Sequence, residues 1–147
     1  MIFHHLILRV VTKLLVGTII LFALYVQFHG DFSPGGGFQA GVIMSVAFIL
    51  YGIVFSLESA KKVFPEWVVH KLLALGVLIY AGTGVATMLL GYDFLDYDAF
   101  SPLHPTHGQH WGLLVIEFGV GVTVTGVMVA IYYAFAGRPP SMSDEEW

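Results

Sequence analysis

The chain has 147 residues, of which 57% are hydrophobic and only 11% charged, with a formal net charge of −4. Average soluble domains carry about 25% charged residues, so this composition, with a mean hydropathy of +0.82, excludes an ordinary water-soluble domain and makes the bilayer the natural solvent. The lack of cysteine removes disulfides, thiolate metal ligands and a Cys nucleophile, and no basic run suited to nucleic acid is present.

The N-terminal stretch mixes apolar residues with His4, His5 and Arg9. The first long apolar run predicts a transmembrane helix over 10–28, about 28 Å at the helical rise and just enough for the hydrocarbon core. It is too long for a signal peptide and lacks a small-residue cleavage pattern, so it reads as a retained helix. Arg9 and Lys13 are four apart, share a face and can snorkel to one interface.

Next comes HGDFSPGGGFQAG over 29–41, the one polar, glycine-packed break in the first half of the chain. Pro34 fixes φ, and Gly35, Gly36 and Gly37 carry no Cβ. Such a run permits a tight reversal, or a backbone lying very close to another surface. A plain hairpin rarely needs three consecutive glycines, nor the flanking His29, Gly30 and Asp31.

A second helix is predicted over 38–57, with Gln39, Ser45 and Ser56 its few polar members. Glu58, Lys61, Lys62, Pro65 and Glu66 form a short charged connection. The third helix, over 68–90, has His70 and Lys71 in its first turn and is rich in glycine and alanine, which suits close packing in lipid. The connection 91–110 is the longest and holds Asp93, Asp96, Asp98, His104, His107 and His110. A fourth helix is predicted over 111–135, followed by a tail over 138–147 expected to be mobile. The expectation is therefore one all-α integral membrane domain of four transmembrane helices.

All six Lys and Arg fall in alternate segments: Arg9 and Lys13, then Lys61, Lys62 and Lys71, then Arg138. By the positive-inside rule both termini and the middle connection are cytoplasmic. The glycine loop and the Asp/His connection then share the outer face, which would attract cations and titrate near neutral pH.

Glu117 is the intramembrane charge to explain. It is six residues past Trp111, about 9 Å deep if Trp111 marks the interface. Insertion scales put an acid at a helix centre at about 2.5–3.5 kcal/mol, so it should face protein or water. Gly121 and Thr125 lie on its stripe. A second small stripe, Gly112, Gly119, Thr123, Gly126 and Ala130, points elsewhere. With two faces unsuited to lipid, the fourth helix is expected to need partner subunits. For Glu117 itself, an ion pathway with Thr125 and a structural hydrogen bond across a helix pair stand side by side. Lys71 is most simply a snorkelling anchor, with a place in a proton relay as the alternative.

The remaining constellations favour no chemistry. His104, His107 and His110 have ligand-like spacing, but Pro105 interrupts them and no Cys or acid sits in the run, so no metal site is assigned. Haem would want histidines facing one another inside helices. The glycine loop lacks the Lys-Ser/Thr of a phosphate loop. Trp67 and Trp111 read as interface anchors.

The pattern FHGDFSPGGGFQAG after a first membrane helix resembles the B subunit of multisubunit Mrp-type sodium/proton antiporters, the MnhB family. The family hallmark is matched by His29, Gly30, Pro34, Gly35, Gly36, Gly37, Phe38 and Gly41, and the likeness runs from Arg9 to Gly137. The resemblance implies a bacterial or archaeal plasma-membrane protein, an accessory subunit of a complex that exchanges sodium for protons. Its implied partners are large subunits related to those of respiratory complex I, and small membrane subunits. It implies transport without bond chemistry. Separately, no cofactor is expected, and the glycine loop, Asp31 included, is expected to be a candidate for docking a neighbouring subunit. Three alternatives stay open: the same subunit in a membrane-bound hydrogenase-type complex, a purely structural scaffold, and a free-standing membrane enzyme or redox protein.

Overall fold

The computed structural model describes residues 2–30 and 35–138. Asp31 and Pro34 of the glycine loop, and the predicted tail beyond Arg138, lie outside the described residues. Helices α1 (Ile2–Gln27), α2 (Gly37–Phe55), α4 (Glu66–Leu89) and α5 (Pro105–Ala136) are the long elements. Each contains a stretch long and apolar enough to cross a membrane. The physical reason is continuous hydrophobicity, which lipid leaves no option but to coil, because every backbone N–H and C=O must then be paired internally.

Three boundaries differ from the sequence expectation. Helix α1 starts at Ile2 and not near residue 10, because nothing between Met1 and Val10 breaks a helix. The charged connection folds into a short helix, α3 (Leu57–Val63), capped by Ser56, whose hydroxyl accepts from Ser59 N–H at 3.4 Å. Helix α5 starts at Pro105, six residues before Trp111, and so takes in His107 and His110. Pro105 interrupts nothing there: at the first helical position its missing N–H has no intrahelical partner to lose.

The long helices pack as a row, α1 against α2, α2 against α5, and α5 against α4. Helix α5 is, with α2, one of the two inner elements of the row. Its Glu117, Gly121 and Thr125 stripe faces α2, where Thr125 Oγ1 donates to Gly41 O at 3.2 Å and to Gly121 O at 2.8 Å. Its second stripe faces α4: a Cβ added at Gly119 would lie 3.1 Å from Gly76 O, and one at Gly126 3.3 Å from Val69 O. Gly112 lies under the Tyr97 ring. This corrects the expectation that the second stripe needs partner subunits. The row places one neighbour on each side of α5, so the chain covers both stripes itself.

A core cluster of Ala60, Val69, Val129 and Tyr133 closes one end of the row, joined by Phe48 and Phe64, whose rings stack 4.4 Å apart. Tyr133 donates its hydroxyl proton to Phe64 O at 2.7 Å. The basic residues gather at this end. Arg9 and Lys13 both lie over the Phe55 ring, Lys61 over Tyr133, and Lys61 pairs with Glu66 at 2.6 Å. Outward apolar side chains such as Leu14, Ile53 and Leu78 line the flanks, as lipid-facing positions do.

At the opposite end the two hairpins differ in height. Helix α2 begins beside Glu117, whereas α5 runs on for twelve more residues (117 − 105), roughly 18 Å. The taller hairpin is roofed by the connection 91–104. Thr87 organises it, donating to Gly84 O and Asp93 O and accepting from Leu95 N–H at 3.0 Å. Asp98 accepts from the Gln109 side chain at 2.8 Å. Tyr97, in a 3₁₀ turn (Tyr97–Phe100), packs its backbone carbonyl on Gly108. The Asp/His connection thus has a structural account in its own contacts.

Candidate functional site

The step between the short and tall hairpins holds the site. The chain passes from α1 to α2 there, and Gly30, Gly36 and Gly37 lie against one residue of α5. A Cβ at Gly30 would stand 2.5 Å from Glu117 Oε2 and 2.7 Å from Oε1. One at Gly36 would stand 2.8 Å from Oε1. At Gly37 it would fall on the Glu117 backbone carbonyl. Gly36 also has φ +117°, a conformation side-chain-bearing residues rarely adopt. The loop is therefore a cradle: backbone from both of its ends closes on the Glu117 carboxyl, and only glycine leaves room for it.

Around the cradle, His29 stacks on Tyr25 with ring centroids 4.1 Å apart. Glu117, His29 and His110 each make further contacts. One turn along α5, Gln27 closes α1 with its Oε1 over Gly121, 2.5 Å from where a Cβ would be. One turn further lie Thr125 and Gly41. Below them a groove of about 230 Å³ runs between α1, α2 and α5 and reaches Phe48 and Phe64.

The structure thus gathers His29, Gly30, Gly36, Gly37, Gly41, Glu117 and Thr125 into one region. Phe38 opens α2 beside it and is exposed, and Gly35 leads into Gly36 within the loop. Lys71 is not brought there. It lies near the start of α4, its ammonium 4.8 Å from the centroid of the exposed Trp67 ring. His104 and His107 stand 5.7 Å apart at the start of α5, about three turns above Glu117. Gln27 is the residue that sequence reasoning missed. A single glutamine ending an apolar run carries no pattern, and its neighbour Gly121 is far away in sequence.

The arrangement defines a class: a multi-pass membrane protein in which an intramembrane carboxyl is enclosed by a glycine loop. The sequence model for a domain related to the MnhB subunit of Na+/H+ antiporter matches residues 7–130. A Staphylococcus haemolyticus (strain JCSC1435) protein named antiporter subunit mnhB2 is 36% identical over 137 residues, covering 91% of this chain and 96% of that protein. Its namesake in Staphylococcus aureus (strain Newman) is 34% identical over 136 residues, with the same coverage. The chain belongs to the MnhB family.

Proposed function

We propose that this chain is an accessory subunit, embedded in the cell membrane, of a multisubunit monovalent cation/proton antiporter, with sodium and protons as the transported ions. One observation carries the reading furthest: in a chain of this family, the loop that bears the family motif encloses the Glu117 carboxyl. A loop that served only to turn the chain would have no need to meet an ionisable group of another helix. The chain is a transporter component and not an enzyme. Its partners in this reading are large subunits akin to those of respiratory complex I, and small membrane subunits.

The test is purification without disruption. Extracted in mild detergent, the chain is expected to migrate on a native gel with several larger membrane proteins. The same preparation, reconstituted, should move protons in response to a sodium gradient. A lone, well-folded subunit with no companions would contradict the proposal.

The glycine cradle faces outward in this reading, since every Lys and Arg of the chain falls in the segments at the other end of the row. A cysteine replacing His104 should then react with a membrane-impermeant thiol reagent applied to intact cells. Reaction only after the cells are opened would invert the topology.

A further inference from the structure

Gln27 makes no hydrogen bond to any described residue, yet it is only 7% exposed. Its amide offers two N–H donors and two lone pairs, and it borders the 230 Å³ groove together with Thr125. Thr125 spends its one proton on Gly41 O or Gly121 O and keeps a lone pair in reserve. The other walls, Ala23, Ala40, Met44 and Phe118 among them, offer no side-chain partner. Acyl chains cannot satisfy an amide either, and an unpaired one at membrane depth is strongly disfavoured.

We propose that the outer part of this groove is a water pocket. In it the Gln27 amide is the anchor, the Thr125 hydroxyl the inner end, and the Glu117 carboxyl the neighbour one turn above. The volume far exceeds the ~15 Å³ that one water needs, and two side chains supply the several polar contacts that hold it. The aromatic pair Phe48 and Phe64 stops it short of the basic end. Water held there would bring hydration to within about one turn of the Glu117 carboxyl, which faces Gly30 and Gly36 and does not itself line the groove. Any use of that water by Glu117 rests on the ion-pathway reading of this residue; the pocket itself does not.

The chain has no cysteine, which makes substituted-cysteine labelling free of background. Only a hydrated thiol ionises and reacts with a water-borne thiosulfonate. In membranes holding the assembled complex, Met44→Cys and Val122→Cys, both bordering the groove, should react with 2-aminoethyl methanethiosulfonate at least tenfold faster than Ile53→Cys. Ile53 is 69% exposed on the lipid side. Adding Gln27→Met, which keeps the shape and removes the amide, should slow both reporters at least tenfold. Reporters as slow as Ile53→Cys would mean a groove filled by an acyl chain or a partner side chain, and would overturn the proposal. So would labelling indifferent to Gln27→Met. Labelling reads the pocket whatever Glu117 does, so a dry pocket and a carboxyl that carries no ions are told apart.

Discussion

Gly37→Val is expected to remove the folded subunit from the membrane. A Cβ at Gly37 falls on the backbone oxygen of Glu117, with the carbonyl carbon at 2.6 Å and Cα at 2.9 Å. These atoms belong to the middle of a 32-residue helix and cannot rotate aside. The next contact, one turn along, is less extreme but still too tight for a side chain: a Cβ at Gly41 would meet Gly121 O at 2.6 Å and Val124 Cβ at 2.8 Å. Helices α2 and α5 therefore cross backbone to backbone along Gly37 and Gly41, a small-residue seam of the kind that holds helices together in lipid. A valine at Gly37 forces α2 away and breaks the Thr125–Gly41 hydrogen bond with it. Overpacking of this severity costs about 3 kcal/mol, roughly a hundredfold in the folded population. Immunoblots of membranes and thermal unfolding in detergent measure it. The control is the same substitution at Gly17 or Gly82, where an added Cβ meets nothing within 4 Å. Wild-type abundance and melting for Gly37→Val would show the seam to be loose.

That seam also marks how far the sequence could be read. Four membrane spans follow from continuous hydrophobic runs, and those runs dictate helices without help from tertiary structure. The three glycines allowed either a tight reversal or a backbone lying close to another surface. What they approach is Glu117, some eighty residues on, and no local spacing names a partner at that distance. Row order was hidden for the same reason. Two small stripes on α5 were visible, but whether two neighbours from one chain could cover both depends on α5 lying between α2 and α4. Lys71 stood first as a snorkelling anchor, with a relay as the alternative; its place over Trp67, four residues earlier on α4, is a local helical contact that spacing alone allows. The depth of Glu117 was set against Trp111 alone. The short α1–α2 hairpin places the loop at Glu117 itself, a level that α5's own residues do not reveal.

Glu117→Gln is expected to lower sodium/proton exchange at least tenfold while leaving the complex assembled. Glutamine has the shape of glutamate and keeps hydrogen-bonding capacity, so the cradle of Gly30 and Gly36 still closes around it. What it loses is the proton that a carboxyl takes up and releases. Exchange in inverted membrane vesicles, normalised to subunit content, separates the two readings of this residue: unchanged exchange leaves only a helix-to-helix hydrogen bond. Gly30→Ala attacks the same group from the other side. Its Cβ meets the carboxylate oxygens at 2.5 and 2.7 Å and the carboxyl carbon at 2.9 Å, the movable end of a flexible side chain. The helices can therefore stay where they are while the carboxyl is pushed out of place. Gly30→Ala should thus keep the protein in the membrane, unlike Gly37→Val, and still depress exchange. Placed on top of Glu117→Gln it should add little, because both changes act through one group and such effects do not sum. Two losses that multiply independently would mean that Gly30 serves something other than the seating of Glu117, and the cradle would lose its functional meaning.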